Sequence, residues 1–311
     1  MYKRQALQSH LFRRHREIAY LGKRGREARP GVAHLERLQR TLRTDRSAWA
    51  SAEEWRREAR PHLDKAADEG RVPLWSQESL TGGSAARRQR CAELFHDIFG
   101  PCRILVLVRE PISFVQSFYF EKLKGFNVKT GSQPSWGREF GRAPKYFTLD
   151  EWLEAISKTD PLKIRGHLQY AETVEIYQSV FGDANVKVFL FEQLEEDGPG
   201  ILEEISRFIG VDPQESSKSF RGKRANERWA EQQIERLKEL ESSFALRWRF
   251  RLANRRQREE MLDRAGANPT GPAEIGMSPE WRERLHHYTR EQNRRLVELT
   301  QLPLQRYGYV I

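Results

Sequence analysis

The stretch that most restricts the fold is Cys102-Arg103-Ile104-Leu105-Val106-Leu107-Val108-Arg109-Glu110-Pro111, continuing through Ile112-Ser113-Phe114-Val115-Gln116-Ser117. Ile104 to Val108 is an unbroken apolar run rich in β-branched side chains, the pattern of a strand buried on both faces. Arg109 ends the run with a fixed positive charge. Pro111 stands where a helix would start, a position that suits proline because the first helical N–H has no partner to lose. Ser113 and Ser117 fall four residues apart and would share a helix face leaning toward the helix start. The pattern predicts a strand tip, a guanidinium, helix N–H groups and two hydroxyls meeting at one spot, which suits a phosphate dianion. An ordinary strand–turn–helix with a surface arginine fits the same residues.

A second strand is expected at Asn185-Val186-Lys187-Val188-Phe189-Leu190, leading into Phe191-Glu192-Gln193-Leu194. Pro199 then opens an apolar-periodic helix that includes Ile201, Leu202, Ile205 and Phe208, and Gly210 closes it. A shorter strand is read at Val72–Ser76. Helices are read at Ala6–Ile18, Val32–Leu42, Ala48–Ala67, Ser84–Phe99, Leu149–Ser157, Leu168–Phe181 and Pro279–Leu299. Tyr20–Gly25, the aromatic-rich Gly125–Phe147 and the basic Gly210–Asn226 read as loops. Glu227–Leu262 is a long helical pattern. Strands alternating with helices predict an α/β fold with a parallel sheet covered on both faces. A length of 311 residues is read as a single domain, 1–311, with 226–265 as a helical insertion or arm.

On these residues the chain resembles the PAPS-dependent sulfotransferase family, of the bacterial carbohydrate type; PAPS is 3′-phosphoadenosine 5′-phosphosulfate. The family's 3′-phosphate motif is an apolar strand, Arg, a polar residue, Pro and a later Ser, which carries over to Arg109 and Ser117. Glu110 departs from the Asn or Asp usual there. Glu192-Gln193-Leu194 resembles the family's E-x-L turn, and Phe208-Ile209-Gly210 its F-x-G ending. Asn293, Leu296 and Tyr307-Gly308-Tyr309 look like its usual C-terminal segment. The resemblance spans residues 5–311. It implies a P-loop-like parallel sheet flanked by helices, with a helical C-terminal part. It also implies PAPS as cosubstrate, no metal, and a carbohydrate or glycolipid acceptor with a hydroxyl or amine.

The family's other phosphate site is a Lys-x-Gly-Thr-Thr loop ahead of a helix like Leu7–Phe12. Met1-Tyr2-Lys3-Arg4-Gln5 has neither the glycine nor the threonine pair, so the loop is expected to be missing or degenerate and transfer by this chain to be poor. A late start, an inactive relative, or substitution of the loop by the charges of Lys3 and Arg4 would each account for this. On the last ground Lys3 is assigned to the donor. The resemblance also puts Arg221, Gly222 and Lys223 in a basic loop that closes over the nucleotide; a solvated linker is the plainer reading. Sulfuryl transfer needs a general base near the transferring group. Glu78, in a turn resembling the S-x-E turn of some relatives and just past a strand tip where α/β ligands bind, is the candidate. It would otherwise cap the next helix. His15 and His96 are weaker candidates that read as surface residues, as does His10.

A formal charge of +10 favours anionic partners. The basic residues of Glu227–Leu262 are mixed with acids and no nucleic-acid motif is present, which disfavours a nucleic-acid binder. No GxxxxGK[ST] motif occurs, which disfavours a kinase-like enzyme. In the terminal regions Arg dominates over Lys and the blocks alternate with Glu, a pattern of solvated helix faces. Cys91 and Cys102 have no partner at metal spacing, which argues against a disulfide framework and a structural zinc site. No apolar run approaches the ~18 residues of a membrane span, and no signal core is seen; a cytoplasmic setting is expected. The long helix could serve as the arm of a homodimer. A non-catalytic relative that binds nucleotide or anionic glycan is the alternative to an enzyme.

Overall fold

The computed structural model describes residues 7–21, 52–76, 80–128, 148–159, 162–219 and 275–311, with scattered positions between 234 and 261. Along the chain the elements are β1 (Ile18–Tyr20), α1 (Ala52–Asp68), β2 (Val72–Leu74), α2 (Ala85–Phe99), β3 (Ile104–Val108) and α3 (Pro111–Val128). These are followed by α4 (Leu149–Thr159), α5 (Leu162–Leu168), α6 (Tyr170–Phe181), β4 (Val186–Leu190), α7 (Phe191–Glu196), α8 (Gly198–Ile209), α9 (Pro213–Ser219) and α10 (Pro279–Thr300). They fall into two compact units. One comprises Tyr2–Pro111, Leu162–Ala225 and His286–Ile311; the other comprises Ile112–Pro161 and Asn226–Leu285, with Met1. Among the described residues, no helix is long and apolar enough to cross a membrane.

The first unit holds all four described strands. β1 pairs parallel with β2, Ile18 opposite Val72 and Tyr20 opposite Leu74. β3 pairs parallel with β4, Ile104 opposite Val186 and Val108 opposite Leu190. Among the described residues these are separate ladders, yet they share one apolar core. Leu7, Leu11 and Phe12 of a π-helical turn pack with Ile18, Phe189 and Ile205, and Leu105 and Leu107 lie against them. Mostly helical content with parallel strand pairing agrees with the α/β expectation. In β3, Val106 and Val108 are buried while Ile104, Leu105 and Leu107 are half-buried, so one face is deeper than the uniform apolar run suggests. Pro73 is exposed in β2, the position a residue without an N–H takes in a strand.

Local signals set the helix ends. Ser84 caps α2, its side chain accepting from the Arg87 N–H at 3.3 Å. Gly100 ends that helix at φ 73°, a positive φ that glycine adopts at little cost. Asp197 caps α8 through the Gly200 N–H at 3.0 Å, and Gly210 closes it in the αL conformation.

In the second unit α4 opens on a capping box. The Glu151 N–H donates to Thr148 Oγ1 at 3.2 Å, and the Thr148 N–H donates to Glu151 Oε2 at 2.9 Å. Trp152 is buried beside Tyr119, ring centres 5.5 Å apart, and beside Phe118 at 6.1 Å. The Asp150 carboxylate accepts from the Ser278 N–H at 3.2 Å, and Gln116 Nε2 donates to Ile275 O at 2.8 Å.

Several expected boundaries are corrected. Ala6–Ile18 is not one helix: the π-helical turn ends at Phe12, and Ile18 begins β1 because β2 offers its backbone a parallel partner. Tyr20 belongs to that strand rather than to a loop. Leu168–Phe181 is broken at Gln169 into α5 and α6. Helix α3 continues through Gly125 to Val128; a single glycine weakens a helix by about 1 kcal/mol without ending it. Within Gly210–Asn226, Pro213–Ser219 is helical, started by Asp212, whose Oδ1 accepts from the Gln214 N–H at 2.9 Å. The expected Val32–Leu42 helix lies outside the described residues, as does most of Glu227–Leu262.

Candidate functional site at the tips of β3 and β4

Arg109 stands at the C-terminal tip of β3, where the parallel ladder with β4 ends and Pro111 opens α3. It is half-buried. Its guanidinium carbon lies 4.4 Å from the centre of the Phe191 ring, close enough for cation–π attraction. Phe191 is the first residue of α7, directly after β4, so the strand pairing itself sets ring beside cation.

The main chain at this tip is held from several elements. Tyr170, at the start of α6, donates its O–H to the Arg109 carbonyl at 2.8 Å. Glu192 accepts the Glu110 N–H on Oε1 at 2.9 Å. Its other oxygen, Oε2, accepts from the Tyr309 O–H at 3.2 Å. Burial raises the pKa of Tyr170 and of Tyr309 far above the usual phenol range. Both therefore stay protonated and donate at physiological pH. Burial also raises the Glu192 carboxyl, while its hydrogen bonds and the positive charge of Arg109 pull it back down.

A second polar cluster of the same unit lies just past β2. Arg87 Nη1 donates to Gly82 O at 2.6 Å. Arg88 is completely buried, and its Nη1 donates to Gly83 O at 2.7 Å and to Gly166 O at 3.0 Å. Its Nη2 bonds Gln169 Oε1 at 3.1 Å and pairs with Glu172. Burial lowers the Arg88 pKa, and Glu172 opposes that shift. A Cβ on Gly166 would lie 2.4 Å from Gly83 O, so only glycine permits this approach. His167 Nδ1 lies 3.4 Å from Thr81 Oγ1. These bonds pin the segment after β2 against α5 and α6, and they coincide with the break at Gln169.

Of the residues singled out from sequence, Arg109 lies in this strand-tip cluster. Ser117 lies on α3 in the second unit and is buried at 1% exposure. Glu78, Lys3, Arg221, Gly222 and Lys223 lie outside the described residues. His96 is exposed, as expected. His15 is not a surface residue: it is 2% exposed, its Nε2 lies 3.0 Å from Asp212 O and its Nδ1 accepts the Glu17 N–H at 3.2 Å. A ring with Nδ1 accepting in this way serves to dock the turn before β1 onto α9. Tyr170 and Phe191 received no role from the sequence, and no local signal marks them. Glu192 is visible in the sequence only as the acid of the E-x-L-like turn after the second strand, and Tyr309 only within the family-like C-terminal segment.

No known family model matches the chain, and no curated protein sequence does. Among solved structures, the chain is similar to the crystal structure of a sulfotransferase from Alicyclobacillus acidocaldarius, with 18% sequence identity and a TM-score of 0.44; the match covers 79% of this chain and 73% of that one.

Proposed function

We propose that the chain is a sulfotransferase with a P-loop-like parallel sheet, which takes PAPS as cosubstrate and Arg109 as a residue that holds its 3′-phosphate. The observation that carries this reading is the placement of Arg109: a guanidinium at the end of a parallel strand, laid on an aromatic ring and followed at once by a helix start. Ligands of open α/β sheets bind beyond the carboxyl ends of the strands, and a guanidinium matches phosphate geometry. Ser117 and the basic segment Arg221-Gly222-Lys223, with Lys3, are further donor-binding assignments that rest on the sequence resemblance.

In the proposed reaction an acceptor hydroxyl or amine of a carbohydrate or glycolipid attacks the sulfur. The bond from sulfur to the bridging phosphate oxygen breaks and a bond from sulfur to the acceptor forms. The acceptor proton passes to a base, assigned to Glu78, and adenosine 3′,5′-bisphosphate leaves with the electron pair of the broken bond. Calorimetry with adenosine 3′,5′-bisphosphate tests the donor end. A charge-assisted hydrogen bond contributes about 1.5–3 kcal/mol, so Arg109→Ala should weaken binding by about tenfold or more. Equal affinity in variant and parent would remove Arg109 from the site. Ser117→Ala should weaken binding less, since a hydroxyl offers one bond and no charge of its own, whereas a guanidinium brings a full charge and a fork of donors. Transfer from labelled PAPS across a panel of glycans tests the acceptor class. Binding without transfer to any of them would favour the non-catalytic alternative.

A further inference from the structure

We infer that Tyr170 and Glu192 are positioning residues for Arg109, and that Tyr309, by holding Glu192, couples the segment Tyr307–Val310 to oxyanion binding at the strand tip. The inference rests on the reading of Arg109 as an anion-binding residue. Its basis is that one peptide plane is gripped at both ends. The Arg109 carbonyl accepts from Tyr170 and the Glu110 N–H donates to Glu192, and these two groups belong to the same peptide. Rotation of that plane changes ψ of Arg109, and so changes the direction in which its Cα–Cβ bond points. Fixing the plane from α6 on one side and α7 on the other therefore aims the side chain, and Phe191 supports its far end.

Glu192 is itself oriented. With one oxygen on the Glu110 N–H, its other oxygen receives the Tyr309 O–H. Tyr309 is buried at 3% exposure. Gly308, in the αL conformation at φ 83°, turns the chain so that Tyr309 faces inward. Asn293 Nδ2 of α10 donates to Val310 O at 2.8 Å and secures the far side of the turn. Without the Tyr309 hydroxyl, the carboxylate can rotate about its terminal torsion, which is broad and soft, and the grip on the peptide slackens. A site held loosely by its supporting bonds loses strength even though its own side chains are all present.

Glu192 could instead act by charge alone, as an anion that partly neutralises Arg109. The two roles predict opposite results. Calorimetry with adenosine 3′,5′-bisphosphate would compare the parent with Arg109→Ala, Tyr309→Phe, Tyr170→Phe, Glu192→Ala and the double variant Arg109→Ala/Tyr309→Phe. Melting followed by circular dichroism would confirm that each is folded. Positioning predicts that Tyr309→Phe and Tyr170→Phe each weaken binding about three- to tenfold, the loss of one supporting hydrogen bond in each case. Glu192→Ala should also weaken it. Tyr309→Phe should cost nothing further once Arg109 is gone, since it acts through that residue. Tighter binding in Glu192→Ala, unchanged binding in Tyr309→Phe, or effects of Tyr309 and Arg109 that multiply independently would overturn the inference and leave Arg109 as an anion site. Unchanged binding in Arg109→Ala would overturn the anion reading, and this inference with it. Should Glu192→Ala fail to fold, Tyr309→Phe decides, because it keeps the buried ring and removes a single oxygen.

Discussion

Arg88 and Arg109 sit in the same unit, and both lie close to a helix start, yet the structure uses them in opposite ways. Arg88 is fully buried. Its guanidinium is spent on the carbonyls of Gly83 and Gly166, the Gln169 side chain and the Glu172 carboxylate. Arg109 is half-buried, its guanidinium rests on a ring, and the hydrogen bonds described around it fix its backbone. The first arginine fastens a loop to two helices. The second has its pose fixed by its surroundings, as a ligand-binding side chain requires. In the sequence Arg109 is the more visible of the two, standing after an apolar strand, while Arg88 carries no local signal within the Ser84–Phe99 helix.

The sharpest test of this contrast is Arg88→Ala. Breaking a buried ion pair strands its partners, at a cost of about 3–5 kcal/mol. Because the Glu172 side chain keeps 30% exposure, about 3 kcal/mol is expected. Urea denaturation measures it, and a loss comparable to an ordinary surface change would remove Arg88 from its fastening role. Gly166→Ala probes the same junction sterically. Its Cβ would meet the Gly83 backbone at 2.4 Å. Forcing atoms into a packed site costs about 1–3 kcal/mol, partly offset by the better helix propensity of alanine. A stabilised Gly166→Ala protein would show that the loop moves freely away from α5.

Arg109→Ala should do the reverse of Arg88→Ala. Loss of its contact with the Phe191 ring should cost about 1 kcal/mol of stability or less, while nucleotide affinity falls by the larger factor expected above. A large stability loss with unchanged affinity would make the two arginines alike and dissolve the comparison. The smallest effect concerns Glu192. Burial raises its folded-state pKa. A carboxyl raised in this way stabilises the fold below its unfolded value of about 4.3, and that contribution is lost as pH rises through the folded value. Glu192→Gln has no such titration, so its stability relative to the parent should be more favourable at neutral pH than at pH values near the unfolded pKa. Paired denaturation curves at the two pH values give the answer. The opposite trend would mean that the Glu110 N–H, Tyr309 and Arg109 together outweigh burial.

What the sequence determined by itself was whatever depends on near neighbours. The apolar runs of β3 and β4, the Ser84 and Gly100 ends of α2 and the Pro199 opening and Gly210 end of α8 are all legible, because propensity, helix-opening proline and positive-φ glycine are settled within a few residues. The Asp212-Pro213-Gln214-Glu215 start of α9 is also written there as a cap, a helix-opening proline and an acid, masked by the basic stretch around it. Tertiary structure alone decided the rest. Ile18–Tyr20 is a strand because Val72–Leu74 lies alongside it, and the helix break at Gln169 accompanies the arrival of Arg88 from α2. His15 is buried because its ring meets Asp212, 197 residues away. The grip on Arg109 and its neighbour Glu110 joins residues 61, 82 and 117 positions apart. Bonds of that reach satisfy backbone groups that must find partners once buried, and which partner each finds is fixed only when the packed elements bring it near.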